Sequence, residues 1–107
     1  MSDPRSTPVR PDRVRTIPGQ FSWIDRALLH RQLLDQLALQ EIALYFFLVL
    51  VCGPEGTSFW SHRRIAERLK LSLDEFLAAL RGLIEKDLVD FEYPTYQVLS
   101  LPRATKR

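Results

Sequence analysis

With 107 residues, close to half of them apolar, the chain can hold one modest hydrophobic core and little more. Its single cysteine, Cys52, excludes a disulfide framework and a cysteine-rich zinc site, and the basic N-terminus lacks the apolar core of a signal peptide. The net charge of +2 hides an asymmetry: residues 1–19 carry four arginines against two aspartates, residues 102–107 add Arg103, Lys106 and Arg107, and residues 20–101 sum to −3.

Residues 1–19 hold four of the seven prolines, interleaved with Arg5, Arg10, Arg13 and Arg15 and with almost no large apolar groups. Such a segment buries too little surface to offset its ordering entropy. It is predicted to be a disordered basic arm, read either as a solubilising leader or as an arm that touches phosphates or a minor groove. One folded domain is predicted over residues 20–101, followed by a basic tail over residues 102–107.

Phe21-Ser22-Trp23-Ile24 alternates and predicts a short strand. From Asp25, a capping candidate, Leu28, Leu29, Leu33, Leu34 and Leu37 recur at helical spacing. They predict one or two short helices over residues 25–37, with Arg26, His30 and Arg31 mainly on the polar side. Gln40 to Cys52, QEIALYFFLVLVC, is the hydrophobic heart of the chain and reads as a helix by its length. Asp35, Gln40 and Glu41 suit the dipole at its start, and Gly53-Pro54 ends it. From Ala43 to Val51 it is apolar all round, so both sides should be covered. One side would pack on later helices; the other needs the N-terminal helices or a second subunit, a homodimer through Gln40 to Cys52. Cys52 is predicted to be a buried, reduced thiol. The longest apolar run, Ile42 to Cys52, has 11 residues and would span only about 16 Å as a helix, so no membrane partner is expected and the chain reads as a cytoplasmic protein.

Gly53-Pro54-Glu55-Gly56 predicts a turn, and Thr57 to Ser61 a short strand with Phe59 and Trp60 as anchors. Ser61 to Leu88 then carries two apolar periodicities with a break between them. Ile65, Ala66 and Leu69 mark one face of a short helix, and Phe76, Leu80, Leu83 and Ile84 mark the inward face of a longer one. Lys70-Leu71-Ser72 is a tight connection. Ser72 with Glu75 three residues later forms a capping box. Beyond it Val89, Phe91 and Tyr93 alternate with Asp90 and Glu92, Pro94-Thr95 turns the chain, and Tyr96 to Leu101 returns. A β-hairpin is predicted, without the Asn-Gly signal of a primed turn. The fold class is mainly α with a small β-hairpin.

The order helix, short strand, helix, turn, helix, hairpin resembles the winged helix-turn-helix superfamily. Ile65-Ala66-x-x-Leu69-x-Leu71-Ser72 and Phe76-x-x-x-Leu80-x-x-Leu83-Ile84-x-Lys86-x-Leu88-Val89 carry the likeness. They are similar to the pattern shared by bacterial winged-helix regulators and by plasmid or phage replication initiators. Leu39 to Leu48 resembles the first helix of those initiator and primosome-type domains, so the likeness covers about residues 38–101. It implies that the second motif helix lies in a DNA major groove and that the first crosses the backbone. On that reading the exposed side holds Asp74, Glu75, Ala78, Arg81 and Glu85, of which Asp74, Ala78 and Arg81 face the groove, with only Arg81 suited to a guanine edge or a phosphate. Arg63, Arg64, Arg68 and Lys70, clustered with His62 against Glu67 alone, become phosphate contacts. The plainer reading of that cluster is a solvated face with Glu67 pairing Arg63 or Arg64. The hairpin carries Asp90 and Glu92 where a DNA-binding wing would carry Arg or Lys.

No catalytic constellation stands out. His30 and His62 have no Glu or Cys at ligand spacing and read as surface histidines, and the paired carboxylates lack an apolar cleft. The aromatics read as core rather than as a nucleobase platform. Neither enzyme activity nor a metal or cofactor is expected. The leading expectation is a DNA-binding accessory protein, a transcriptional regulator or a factor tied to replication or a mobile element, with double-stranded DNA as partner. The alternative is a winged-helix protein-interaction module, motivated by the acidic face where Leu73 and Leu77 flank Asp74 and Ala78.

Overall fold

The computed structural model describes residues 7–102. The parts of the predicted arm and tail at residues 1–6 and 103–107, with Arg5, Arg103, Lys106 and Arg107, lie outside the described residues. The elements are α1 (Ala27–His30), α2 (Leu39–Val51), β1 (Thr57–Ser58), α3 (His62–Leu69), α4 (Leu73–Glu85), β2 (Val89–Glu92) and β3 (Thr95–Val98), with 3-10 turns at Pro11–Arg13 and Leu34–Gln36. The strands form one antiparallel sheet in the order β1-β3-β2. β3 is central, with Phe91 opposite Tyr96 on one side and Ser58 opposite Tyr96 on the other. The hairpin therefore gains a third strand: β1 lies too far back in the chain for local pattern to show the pairing.

The core sits where α2, α3 and α4 meet one face of this sheet. Leu44, Leu48, Ile65, Phe76, Leu83, Leu88, Val89 and Tyr96 are fully buried. All but Leu88, which lies between α4 and β2, come from the apolar stripe of a helix or the inward alternation of a strand, so removal from water, worth about 1.5–3 kcal/mol for a large side chain, binds the layers together. Local chemistry sets the helix ends. The Asp25 carboxylate accepts from Ala27 N–H at 2.8 Å, and Ser61 Oγ accepts from Arg64 N–H at 3.1 Å. Ser72 Oγ accepts from Glu75 N–H at 3.1 Å while the Glu75 carboxylate accepts from Ser72 N–H at 2.9 Å, the expected capping box. Between α3 and α4, Lys70 takes a left-handed backbone (φ 61°), and Leu71 N–H reaches back to Ala66 C=O.

Glu41 is a surprise. It sits in the first turn, where a carboxylate suits the helix dipole, and it is also buried. The carboxylate accepts from Ala38 N–H at 2.9 Å and pairs with Lys86 Nζ at 3.2 Å, tying the start of α2 to the end of α4. Gly82 of α4 makes room for it: a Cβ there would lie 2.7 Å from Glu41 Cδ and closer still to Oε2.

Several sequence expectations are corrected. Phe21 to Ile24 form no strand, because alternation needs a neighbouring backbone ladder and none of the described strands runs beside them. Trp23 is 84% exposed. Leu29 and Phe59 are exposed rather than packed, and Cys52, the C-cap of α2, is only half-buried, its thiol donating to Val49 C=O. Ile84 faces outward at 37% exposure; Ala79 and Gly82 take the inward positions on that side of α4. Tyr93 sits exposed at the hairpin tip, past the last paired residue, Glu92. Of the two covers expected for the second side of α2, the N-terminal helices leave part of that side bare among the described residues. Leu44, Tyr45, Leu48 and Val49 are buried, but Leu39 is 78% exposed and Phe46 and Leu50 are each 52% exposed.

Candidate nucleic-acid interface

α3 begins at His62 because Ser61 caps it, and its core stripe of Ile65 and Ala66 turns the arginines outward. Arg64 and Arg68, one turn apart, converge on Trp60. Their Cζ atoms lie 5.0 and 5.8 Å from the Trp60 ring centroid, and the ring is braced edge-on by Phe47 of α2 at 5.1 Å. A guanidinium over an indole face is attracted by the ring quadrupole, by about 0.5–1 kcal/mol at an exposed site. Both arginines are exposed, and a guanidinium carries N–H donors suited to bidentate donation to phosphate oxygens. Trp60 therefore lies within cation–π range of two cations.

Arg63 and Lys70 are also exposed, Arg63 about 100° around the helix from Arg64 and Lys70 at the left-handed cap. Among the described residues no ion pair joins Glu67 to Arg63 or Arg64; the pairs formed are Arg10 with Asp12 and Lys86 with Glu41. The α3 cations are thus not neutralised by their own helix.

On α4, Asp74, Ala78 and Arg81 are all exposed and fall at helical spacing on one stripe. Glu75, beside them, is committed to the cap. With Glu85, exposed one turn further on, this stripe offers one cation, Arg81, against two free carboxylates, Asp74 and Glu85. The β2–β3 hairpin offers no cation between Val89 and Val98, and its Asp90 carboxylate accepts from Phe91 N–H at 2.8 Å.

His62 does not belong to the positive cluster. Its ring points inward among Phe76, Phe91 and Tyr96, with centroids 5.0, 4.9 and 5.6 Å away, and its Nδ1 is hydrogen-bonded to the Tyr96 hydroxyl. Burial lowers the imidazole pKa below its ordinary 6.5 and pushes the Tyr96 hydroxyl up to about 12. With the phenol held protonated, its proton is available to Nδ1 of a neutral ring. The spacing carried the signal: 62, 65, 66 and 69 complete one helix face, so His62 lies on the inward face of α3, half-buried. The role of Trp60 had a fainter signal, the four-residue steps from Trp60 to Arg64 to Arg68.

A separate open groove of about 1220 Å³ lies between residues 20–26, the C-terminal turn of α2 and the end of β3. It includes none of the α3 arginines. Within it the Tyr45 hydroxyl is raised above its usual pKa, first by burial and then by the Asp25 carboxylate and Cys52 thiol. Among the described residues no helix is long and apolar enough to cross a membrane. No family model, curated protein or solved structure matches this chain.

Proposed function

We propose that this chain is a winged helix-turn-helix DNA-binding accessory protein, a regulator or a factor of replication or a mobile element, whose contacts are largely directed at phosphates. One observation carries the reading: Arg64 and Arg68 are exposed, unpaired by Glu67 and both close to Trp60, with Cζ atoms 5.0 and 5.8 Å from its ring centroid. The element order from α2 through β3 and the sequence resemblance support the winged-helix part. Arg63 and Lys70 extend the phosphate contact along α3. Arg81 enters the groove, with Asp74 and Ala78 on the same stripe. With one cation on that stripe and none on the hairpin, affinity comes from backbone charge more than from base readout.

The test is duplex binding by fluorescence anisotropy across a salt series, comparing the full chain with Arg64→Ala/Arg68→Ala. Each phosphate contact removed should lower the steepness of log affinity against log salt by about 0.9. The double variant should therefore lose affinity and about twice that amount from the slope. Parent-like affinity and slope in the folded variant would sink the proposal.

A protein-interaction module is the second reading, favoured by the acidic α4 face with Leu73 and Ile84 partly exposed beside it. Leu77 packs against the core, so Leu77→Arg would damage the fold. Leu73→Arg is the clean probe: it should abolish partner capture while leaving helicity intact. Retained capture removes this reading.

A further inference from the structure

We propose that the uncovered face of α2 is a homodimer seam in which two copies pack α2 against α2 antiparallel about a twofold axis. The exposed or half-exposed positions on that face are Leu39, Ala43, Phe46 and Leu50. Their steps of four, three and four residues are the narrow stripe that one helix presents to another, rather than the broad face that meets a sheet. A helix is therefore the cover that fits.

Side-chain size identifies which helix and in which direction. In an antiparallel pair centred between Ala43 and Phe46, Leu39 meets Leu50 of the other copy and small Ala43 meets large Phe46. A parallel pair would set Phe46 against Phe46 and leave a void between two alanines. The antiparallel arrangement makes the patch self-complementary, as a twofold interface requires. Charge agrees. α2 carries no charged side chain after Glu41, and Glu41 is turned inward to Lys86, so two copies meet without like-charge repulsion.

The area is also sufficient. Phe21 and Trp23 stand exposed near the C-terminal turn of α2, where the Ser22 hydroxyl donates to Leu50 C=O at 3.3 Å. Covering them together with Leu39, Phe46 and Leu50 removes on the order of 700 Å² per copy, close to the ~800 Å² per partner of a standard interface. The seam does not depend on DNA binding, since it uses none of the α3 or α4 cations.

Sedimentation equilibrium of the full chain tests the seam, with Leu39→Glu, Leu50→Lys and the double variant Leu39→Glu/Leu50→Lys. The parent should dimerise in the micromolar range, and each single change should weaken the dimer by roughly tenfold or more. The double variant should recover much of the loss, because the antiparallel pairing sets the carboxylate introduced at position 39 against the ammonium introduced at position 50, once on each side of the axis. Both sites are exposed, so circular dichroism should stay parent-like; Leu39→Gln and Leu50→Gln replace any variant that loses helicity. A parent that stays monomeric overturns the proposal, as do single variants that dimerise like the parent. A double variant no tighter than the weaker single overturns the antiparallel pairing.

Discussion

Replacing Gly82 with alanine should destabilise the protein, although an alanine inside a helix ordinarily stabilises by about 1 kcal/mol over glycine. The three nearest atoms to the new Cβ all belong to Glu41, with Cδ at 2.7 Å and Oε2 nearer still, so the carboxylate must leave. Leaving breaks its hydrogen bond from Ala38 N–H and its pair with Lys86. A hydrogen bond to a charged group contributes about 1.5–3 kcal/mol, taken at the low end because Ala38 can reach water. The Lys86 side chain is about a third exposed, so that pair adds only about 0.5–1 kcal/mol. Against the helix gain, the net loss is about 1 kcal/mol. In a Glu41→Ala background the obstacle is gone, and the same Gly82→Ala change should stabilise by about 1 kcal/mol. Urea unfolding of the four proteins, compared at matched slopes, measures this reversal of sign. Equal stabilisation in both backgrounds would refute the reasoning.

Gly56 has φ 85° and its Cβ position lies 2.5 Å from the Val98 carbonyl oxygen, so Gly56→Ala should cost at least about 2 kcal/mol in urea unfolding; a loss under about 1 kcal/mol would show that the β1–β3 junction gives way. Ser58 Oγ is buried with no hydrogen-bond partner among the described residues, so Ser58→Ala should stabilise by about 1 kcal/mol and raise the melting temperature. A lower melting temperature would mean that the hydroxyl is satisfied. His62 supplies a pH dependence. Its folded pKa is below 6.5, so the unfolded chain binds more protons as pH falls through that value. Its contribution is complete above pH 6.5 and is lost below it. Between about pH 7.5 and 5.5 the parent should lose more stability than His62→Phe, and equal slopes would contradict the burial of the ring.

The acidic balance of residues 20–101 frames the functional proposal. A domain with net charge −3 is not drawn to DNA as a whole, so binding must rest on a local concentration of cations. Arg64 and Arg68, both beside Trp60, supply that concentration. The arginine variant therefore discriminates more sharply than removal of the tails, which subtracts charge without touching the folded surface.

Most of the helical framework was legible in the sequence because it depends on neighbours within one or two turns. The capping box of Ser72 and Glu75, the Ser61 cap, the break at Lys70 and the apolar stripes of α2 to α4 are local, and each was readable from residue type and spacing. The placement of Asp74, Ala78 and Arg81 on one exposed stripe of α4 followed from the same periodicity. What failed was pairing between distant segments. Phe21 to Ile24 had a strand's alternation but no ladder to join, whereas Thr57 and Ser58, only two residues, became a strand because β3 lay beside them. Only the tertiary structure could turn Glu41 inward against Gly82 and Lys86, set Trp60 beside two arginines, pack His62 against Tyr96 and leave Leu39, Phe46 and Leu50 bare. Burial is decided by which surfaces meet, and a one-dimensional pattern shows that a face is apolar without showing what will cover it.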